Sequence, residues 1–508
     1  MNILQACADE KLFAPWFKTK SDWLAWMAFL AALFALPMSP EMLAVYQQCT
    51  GRTEPPTSPA LEAWLICGRR AGKSFVLALT AVFLACFGEY RRHLAPGERG
   101  AVLVIATDRR QARTIIRYIR ALLHQIPMLK RMVERETSES FDLSNSVTIE
   151  VATASFKSVR GHTIVAGLCD EIAFWPTEDA AEPDYEILDA LRPGMATIPG
   201  AKLLCASSPY ARRGALHDAF KRYHGKDSPV LVWKADTKTM NPTVPQAVID
   251  QAYERDPASA SAEYGAEFRS DISAFITREA LDVCISPKVL ERPRVDGVKY
   301  SAFVDPSGGS SDSMTIGIGH RQTTPVGKSI SVLDAVREVK APFNPDDAVA
   351  EFARLLKDYG IRSVRGDRYA AEWVVTAFKK VGIAYRPADL SKVEIYRDLL
   401  PRLNSGEIDL LDNQRLISQL LGLERRTARG GRDSIDHPPG GRDDLANSAA
   451  GVLVYLSSAR HQPVGASMGV YSWGGSIKML TGNTQHQCDG PITEGELAGG
   501  FATTIGRY

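Results

Sequence analysis

The sequence predicts an α/β protein with two sheets, each in its own domain. Apolar runs of strand length alternate with helix-length segments before residue 240, which is typical of a parallel sheet covered by helices. Prolines and a glycine interrupt the chain between residues 287 and 297, as they do at domain boundaries. A second series of strands follows. We therefore expect an α/β domain with a helical lead-in over residues 1–240, a helical linker or lid over 241–296, a second α/β domain over 297–460, and a flexible tail over 461–508.

The composition is that of an ordinary globular protein, with 45% hydrophobic and 23% charged residues. The formal net charge is only +1, so any nucleic-acid binding must come from local basic patches. The eight cysteines are scattered and form no CxxC pair. This spacing argues against a zinc site or a disulfide framework and fits a reducing compartment.

One apolar segment near the N-terminus could be mistaken for a signal peptide or a membrane span. Residues 23–38 are uncharged, but the run is short for a span and is interrupted by Pro37. No convincing small-residue cleavage site follows it. We expect a buried helix here.

A phosphate-binding loop is predicted between residues 65 and 74. An apolar strand leads into a glycine-containing turn, then into Gly72-Lys73-Ser74, and a helix-length apolar segment follows. The backbone N–H groups of such a turn face a polyphosphate. Lys73 would reach the β- and γ-phosphates, and Ser74 would hold Mg²⁺. The usual first glycine is replaced by Cys67, so a helix N-terminus with a chance Gly-Lys-Ser is the alternative.

Two later strands end in residues that suit the same chemistry. The apolar run 163–169 is followed by Asp170 and Glu171. An acid in the first position orients Mg²⁺, and one in the second activates the attacking water. The run 201–206 ends in Ser207-Ser208, which could sense the terminal phosphate or form a plain turn.

Two basic segments leave their role open. The helix that starts after Asp108 begins with several arginines, which favours a solvated face slightly over a position near phosphate. Residues 421–442 carry Arg425, Arg426, Arg429, Arg432 and Arg442 among glycines. We favour contact with DNA phosphates over a merely solvated loop for this second segment.

The second domain has carboxylates at three separated places. Asp305 and Asp367 end strands, and Asp443-Asp444 open a late helix. Each acid alone is more often a turn or cap residue. Because the acids lie on an antiparallel meander, a later strand and a late helix, in that order, they can converge at one edge of the sheet. Oxygen ligands suit Mg²⁺ or Mn²⁺, and two such ions about 3.5–4 Å apart would promote phosphodiester hydrolysis.

The order of these motifs resembles the large terminase subunit of tailed bacteriophages over roughly residues 60–456. The segments that carry the resemblance are Gly68 to Ser74, Arg160-Gly161 ahead of Asp170-Glu171, Val304-Asp305-Pro306, Gly366-Asp367, and Gly441 to Asn447. A Gly-Arg-Arg loop without the first glycine is typical of that family. The resemblance implies an N-terminal additional-strand P-loop ATPase domain and a C-terminal RNase H-like nuclease domain.

The resemblance also implies a role for each matching residue. Glu171 would be the catalytic base, and Arg160 the arginine finger that acts on a neighbouring subunit's ATP. Many relatives have His where this chain has Arg442, so a His-assisted metal contact is not expected, and His437 is left unassigned. The implied ATP-binding loop consists of Gly68, Arg69, Arg70, Ala71, Gly72, Lys73 and Ser74. The implied magnesium ligands of the ATPase are Ser74 and Asp170. The implied metal ligands of the nuclease are Asp305, Asp367 and one or both of Asp443 and Asp444, and Asp444 is also counted as catalytic.

The function that the resemblance implies is viral genome packaging. The protein would use ATP and Mg²⁺ to pump double-stranded DNA into a procapsid and would cut concatemeric DNA with Mg²⁺ or Mn²⁺. Its partners would be the portal protein, a small terminase subunit and further copies in a ring, expected to be a pentamer. It would act in the host cytoplasm, docked on the portal, away from membranes and absent from the mature virion.

Three other interpretations remain open from the sequence. A cellular P-loop helicase or translocase with an accessory nuclease domain explains the first half of the chain but not its later carboxylates. An RNase H-like integrase or transposase with an ATPase regulator would join strands as well as hydrolyse them. A non-catalytic scaffold is disfavoured by the intact Lys73, Glu171 and Asp305.

Overall fold

The structure is a computed structural model that describes most of the chain up to residue 458. The described residues are 1–155, 159–175, 183–310, 312–325, 327–367, 372–427, 433–438, 440–458, 472–473 and 476–477. The chain forms two compact units, Met1–Leu456 and Ser457–Tyr508. In the second unit, the described strands Ser472–Trp473 and Ser476–Ile477 pair antiparallel. The rest of the predicted tail lies outside the described residues.

The first half of the chain forms an eight-stranded sheet. Its strands are β1 (Glu62–Cys67), β2 (Gly100–Ala106), β3 (Val133–Glu136), β4 (Ser140–Leu143), β5 (Val147–Thr153), β6 (Thr163–Asp170), β7 (Lys202–Ser207) and β8 (Val230–Ala235). Their order is β3-β4-β5-β2-β6-β7-β1-β8. Pairing is parallel from β5 to β8, and β3 and β4 add an antiparallel edge. Strand β7 lies between β1 and β6, as an additional-strand ATPase fold requires.

Helices cover both faces of this sheet. They are α1 (Ile3–Ala8), α2 (Leu24–Leu33), α3 (Pro40–Thr50), α4 (Lys73–Phe87), α5 (Arg109–Gln125), α6 (Pro127–Lys130), α7 (Pro183–Met195), α8 (Gly214–Tyr223), α9 (Thr237–Met240), α10 (Gln246–Arg255) and α11 (Pro257–Glu263). Short 3-10 helices occur at Ala14–Trp16, Lys20–Trp23, Arg91–His93 and Ile172–Phe174. Helix α2 is the buried helix predicted from the apolar N-terminal segment. Within the described ranges, none of the helices has both the length and the hydropathy that crossing a membrane requires.

The second half of the chain forms a mixed sheet and a small three-stranded sheet. Its strands are β9 (Ile272–Ala274), β10 (Ile285–Ser286), β11 (Tyr300–Asp305), β12 (Met314–Thr323), β13 (Ser329–Val339), β14 (Ser363–Gly366), β15 (Ala384–Pro387), β16 (Ile408–Leu411), β17 (Glu424–Thr427) and β18 (Asp433–Asp436). Its helices are α12 (Arg278–Asp282), α13 (Pro345–Asp358), α14 (Glu372–Lys380), α15 (Lys392–Asn404), α16 (Gln414–Gly422) and α17 (Asp444–Ser458).

The mixed sheet has the order β10-β16-β13-β12-β11-β14-β15. Strands β11, β12 and β13 form the predicted antiparallel meander, and β14 and β15 continue parallel to β11. This is the arrangement of an RNase H-like domain, so the predicted fold class is confirmed for both halves. Two strands from the segment 241–296 also pair here, because β9 joins β17 and β10 joins β16.

The strand periodicity explains why each sheet has two cores. In β1, Ala63 and Leu65 join one hydrophobic cluster, whereas Trp64 and Ile66 join the cluster on the opposite face. A strand that alternates between two buried faces must be apolar at every position. This is the reason that the parallel strands appear in the sequence as continuous apolar runs.

A buried carboxylate joins the two halves of the chain. Glu424 in β17 has no exposed surface and accepts hydrogen bonds from Arg213 Nη2 at 2.6 Å and Tyr210 Oη at 2.8 Å. Arg426 Nη2 contacts the same carboxylate at 3.2 Å. Tyr210 and Arg213 lie in the loop that follows β7. The loop after the serine pair is therefore fastened to the second half by a fully desolvated charge.

We expect Glu424→Ala to destabilise the protein by about 3–5 kcal/mol, because it leaves the Arg213 guanidinium without its buried partner. The measurement is urea denaturation followed by tryptophan fluorescence. Glu267→Ala is the matched control, since this carboxylate pairs with Lys234 at 2.5 Å but is 58% exposed and should stay within about 1 kcal/mol of the wild type. Equal stability of the two variants would contradict a structural role for Glu424.

Candidate functional sites

The turn between β1 and α4 places Lys73 over the carboxyl edge of the first sheet. Gly72 has φ 99°, a conformation that glycine adopts without strain, and it precedes the first residue of α4. The Lys73 ammonium is buried and donates to Cys67 O at 3.1 Å, Gly68 O at 3.2 Å and Ser208 Oγ at 2.9 Å. Its distance to Glu171 Oε1 is 3.3 Å.

Residues from outside the motif hold this loop in shape. Trp26 Nε1 donates to Ala71 O at 2.8 Å. Thr237 Oγ1 donates to Arg69 O and Asn241 Nδ2 donates to Arg70 O, each at 2.8 Å. These contacts take up carbonyls on three successive loop residues. The N-terminal helices and the segment after β8 thus fix the loop, which the local motif could not reveal.

On the other side of Lys73, Ser74 and Asp170 meet. Ser74 Oγ donates to Asp170 Oδ2 at 2.9 Å. Gln111 Nε2 donates to both groups, at 2.9 Å to Ser74 Oγ and 2.7 Å to Asp170 Oδ2. Asp170 is fully buried, and its Oδ1 has no hydrogen-bond partner among the described residues. Burial and the neighbouring Glu171 charge raise the pKa of Asp170. A hydroxyl and a carboxylate with a spare oxygen fit Mg²⁺.

Gln111 is a site residue that the sequence analysis missed. It lies in the first turn of α5, in the arginine-rich segment for which the sequence slightly favoured a solvent-exposed face. The only sequence signal was its position just after the capping residue Asp108, whose carboxylate accepts from Gln111 N at 2.9 Å.

Glu171 is held by the end of β7. Its Oε2 accepts from Ser207 Oγ and from Ser208 N, both at 3.1 Å. Glu171 has φ 52°, which is uncommon for a non-glycine residue and typical of functional positions. The two serines therefore contact both Glu171 and Lys73, which favours the sensing interpretation over a plain turn.

In the second half, the predicted acids come to one end of the mixed sheet. Asp305 is the last residue of β11, Asp367 follows β14, and Asp444 is the first residue of α17, directly after Asp443. Burial, with the nearby charges of Asp444, Asp443 and Asp367, raises the pKa of Asp305 to about 8, although a hydrogen bond from Asn447 opposes the shift. Crowded carboxylates of this kind favour a bound cation.

The two adjacent acids have different surroundings. Asp443 is buried and its carboxylate is fully engaged: Lys392 Nζ lies 3.0 Å from Oδ1 and 2.8 Å from Oδ2, and Tyr396 Oη donates to Oδ2 at 2.8 Å. Asp444 has a buried Oδ2 with no hydrogen-bond partner in the described part of the chain. Burial raises its pKa to about 6. Asp444 is therefore the acid with an oxygen available for a metal.

A second group of potential ligands lies beside Asp443. Ligand atoms of Asp436, His437 and Asp443 fall within 4.8 Å of one another. The Lys392 ammonium already bridges two of them, at 2.9 Å from Asp436 Oδ1 and 2.8 Å from Asp443 Oδ2. This cation balances one of the two carboxylate charges, and His437 stays unassigned.

Comparison with known protein families agrees with this geometry. Residues 65–271 match the family described as "Terminase large subunit, T4likevirus-type, N-terminal". This part of the chain is therefore similar to the N-terminal part of large terminase subunits. The matched segment begins in the phosphate-loop strand and contains every residue of the first site except Trp26. No curated protein sequence matches this chain significantly.

Solved structures give more distant similarities. The crystal structure of the HK97 bacteriophage large terminase is 16% identical, with a TM-score of 0.36, and the alignment covers 83% of this chain and 95% of that one. A large terminase from a thermophilic bacteriophage, solved in complex with ADP, is 13% identical, with a TM-score of 0.32 and coverages of 80% and 96%. The large terminase nuclease from thermophilic phage G20c is 17% identical, with a TM-score of 0.29 and coverages of 34% and 94%. Similarities this distant transfer no residue role to this chain.

Some of the predicted site residues lie away from both sites. Arg160 is exposed in the turn before β6, and the length of that strand separates it from Asp170. Its assignment as an arginine finger for a neighbouring subunit stays a prediction. The prediction of a basic loop is wrong for Arg425 and Arg426, which lie in β17. Arg425 pairs with Asp433, and Arg426 pairs with Glu424. Arg429 and Arg432 lie outside the described residues.

We expect Gly68→Ala to abolish nucleotide binding, because an added Cβ would lie 2.3 Å from Thr237 Oγ1 and 2.8 Å from Tyr264 O and would displace the loop. The measurement is titration with a fluorescent ATP analogue. Gly308→Ala is the control, since its Cβ would meet nothing within 4 Å. Normal nucleotide affinity in Gly68→Ala would show that the loop tolerates displacement there.

We expect Asp444→Asn to weaken Mn²⁺ binding by about tenfold or more, since it removes the carboxylate whose buried Oδ2 has no protein partner among the described residues. Asp443→Asn should change Mn²⁺ affinity less and lower the melting temperature instead, because Lys392 loses its buried partner. Isothermal titration with Mn²⁺ and thermal unfolding separate the two effects. The reverse pattern would assign the metal to Asp443.

Proposed function

We propose that the protein is the motor subunit of a viral DNA-packaging machine. It hydrolyses ATP to move double-stranded DNA into a procapsid, and it cuts concatemeric DNA with a metal-dependent nuclease. The observation that carries the proposal is the presence of two separate acidic sites on one terminase chain, one beside a phosphate loop and one at the end of an RNase H-like sheet.

In the ATPase site, the role of each residue follows from its position. The loop from Gly68 to Ser74 binds the phosphates of ATP, and Lys73 binds the terminal ones. When Lys73 moves to the phosphate oxygens, Glu171 keeps its contacts to Ser207 and Ser208. Its Oε1 is then free to accept a proton from the attacking water. Bound Mg²⁺, held by Ser74 and Asp170, neutralises phosphate charge.

Ser208 connects catalysis to movement. Its hydroxyl accepts from Lys73 and its backbone N–H donates to Glu171. The contact to Lys73 is given up when Lys73 binds the terminal phosphate, whereas the contact to Glu171 remains. The loop that follows continues to Tyr210 and Arg213, which fasten it to Glu424. A change at the phosphate therefore reaches the second half of the chain through a short, buried connection.

In the nuclease site, Asp305, Asp367 and Asp444 hold the divalent cations. When bound there, Mg²⁺ or Mn²⁺ would supply an activated water and would stabilise charge on the phosphodiester. Asn447 orients Asp305 through a hydrogen bond. Lys392 and Tyr396 hold Asp443 away from the metal, so that Asp443 supports the start of α17 and contributes mainly its charge.

The assembly that we propose follows the family. Copies of the chain form a ring, expected to be a pentamer, on the portal of the procapsid, and Arg160 of each copy serves the ATP of its neighbour. A small terminase subunit selects the DNA. The work takes place in the host cytoplasm, and the protein leaves before the virion is complete. The exposed position of Arg160 before β6 supports an action between subunits.

We expect the two activities to separate by mutation. Wild-type protein should nick and linearise supercoiled plasmid with Mn²⁺ and should hydrolyse ATP. Lys73→Ala should lose ATP hydrolysis by at least about a hundredfold while cutting normally, and Asp305→Ala should do the opposite. Plasmid cleavage on agarose gels and phosphate release are the measurements.

The outcomes distinguish the proposal from its rivals. If Asp305→Ala cuts as well as the wild type, the second half is not the nuclease described, and a helicase or translocase becomes the better interpretation. Joining of DNA ends by the wild type in the same assay would favour an integrase or transposase. Stimulation of ATP hydrolysis by portal-bearing procapsids, and not by free DNA alone, would support the packaging motor.

A further inference from the structure

Helix α5 carries a basic face that the proposed mechanism has not used. Arg109, Arg110, Arg113 and Arg117 are exposed. The opposite side packs into the core through Ile115, Ile116, Ile119, Leu122 and Leu123. The helix is therefore fixed to the sheet by one side and presents the other side, here called the α5 arginine face, to solvent.

The charge of this face is not neutralised within the described part of the chain. None of its four arginines makes an ion pair there. Farther along the same helix, Arg120 Nε lies 2.6 Å and His124 Nε2 lies 2.7 Å from the carboxylate of Glu136. Within the described residues, the later part of α5 thus has a carboxylate partner and the α5 arginine face has none.

The side chains of this face are partly oriented. Arg113 Nε donates to Arg109 O at 3.2 Å, and Arg117 Nη2 donates to Thr114 Oγ1 at 3.2 Å. Thr114 Oγ1 in turn donates to Arg110 O at 3.1 Å. Such contacts lower the entropy that a long side chain loses when it binds a ligand.

The spacing suits a nucleic-acid backbone. Arg109, Arg113 and Arg117 follow each other at intervals of four residues and so share one side of the helix. They span about 12 Å along the axis. One strand of B-form DNA offers roughly three phosphates over that length, at about 3.4 Å per step. Guanidinium groups bind phosphate through two parallel hydrogen bonds.

We propose that the α5 arginine face binds the phosphate backbone of double-stranded DNA. The inference rests on the proposed function, and it names one surface through which the ATPase domain holds its DNA. Contacts to phosphates carry no base specificity, as a protein that moves DNA of any sequence requires.

The position of the face connects DNA to the ATP site. Gln111, in the first turn of α5, contacts Ser74 and Asp170. Arg109 and Arg113 each lie two residues from Gln111 on the same helix. DNA bound to the face therefore sits on the element that holds the proposed magnesium ligands together, within two helical turns of them.

The test compares Arg113→Ala/Arg117→Ala with Arg354→Ala/Lys357→Ala. The control pair is also exposed and lies on α13, so the net charge changes equally. Binding of a short duplex of mixed sequence is measured by fluorescence anisotropy over a range of salt concentrations. The α5 variant should bind roughly tenfold more weakly at about 0.1 M salt, and its slope of log K against log salt should be shallower by about 2, since about 0.9 is lost per phosphate contact.

Several outcomes would overturn the inference. If the α5 variant has the DNA affinity and salt slope of the wild type, the α5 arginine face does not bind DNA. An equal loss of DNA affinity in the α13 control would lead to the same conclusion. Unchanged DNA binding with loss of self-association would assign the face to a neighbouring subunit instead. Thermal unfolding confirms that both variants fold. Wild-type protein that neither binds DNA nor hydrolyses ATP would instead reject the proposed function itself.

Discussion

The parallel pairing of β7 with both β1 and β6 is the constraint on which the nucleotide site depends. In the ladder, Ile66 lies beside Ser207, and Asp170 lies beside Ala206. Because parallel strands end at a common edge, the residues after each strand meet there. A slip of one residue would turn Asp170 to the opposite face of the sheet. The register therefore fixes the chemistry as firmly as the residues do.

The negative charge of neighbouring carboxylates is balanced differently in the two acidic sites. In the first, the Lys73 ammonium lies beside Glu171, so part of the negative charge is balanced by the chain itself. In the second, Lys392 balances Asp443, while Asp305 and Asp444 keep raised pKa values. The uncompensated part of the second site is the part that suits a divalent cation. A fixed lysine thus separates a supporting acid from the proposed metal-binding acids.

Much of the fold could be predicted because its strands are buried on both faces and so appear as uninterrupted apolar runs. The phosphate loop and the strand-ending acids were also visible, since each is a short local pattern. Trp26, Gln111 and Glu424 were not. Each is a single polar or amphipathic residue whose partner lies far away in the chain, and no local spacing records such a contact. The strand β17 around Arg425 was interpreted as a loop for the same reason, because its pairing partners were not recognisable in the sequence; contact with DNA phosphates stays a prediction.

The sequence by itself determined the order of the elements, the phosphate loop and the set of candidate acids. Only the tertiary structure separated the roles of Asp443 and Asp444. Asp444 is the first residue of α17 and Asp443 precedes the helix, and the two neighbouring acids face different surroundings. One meets Lys392 and Tyr396, and the other keeps an unpartnered buried oxygen among the described residues. Which acid meets which neighbour depends on how α17 packs against α15 and the sheet, and that packing is a property of the folded chain.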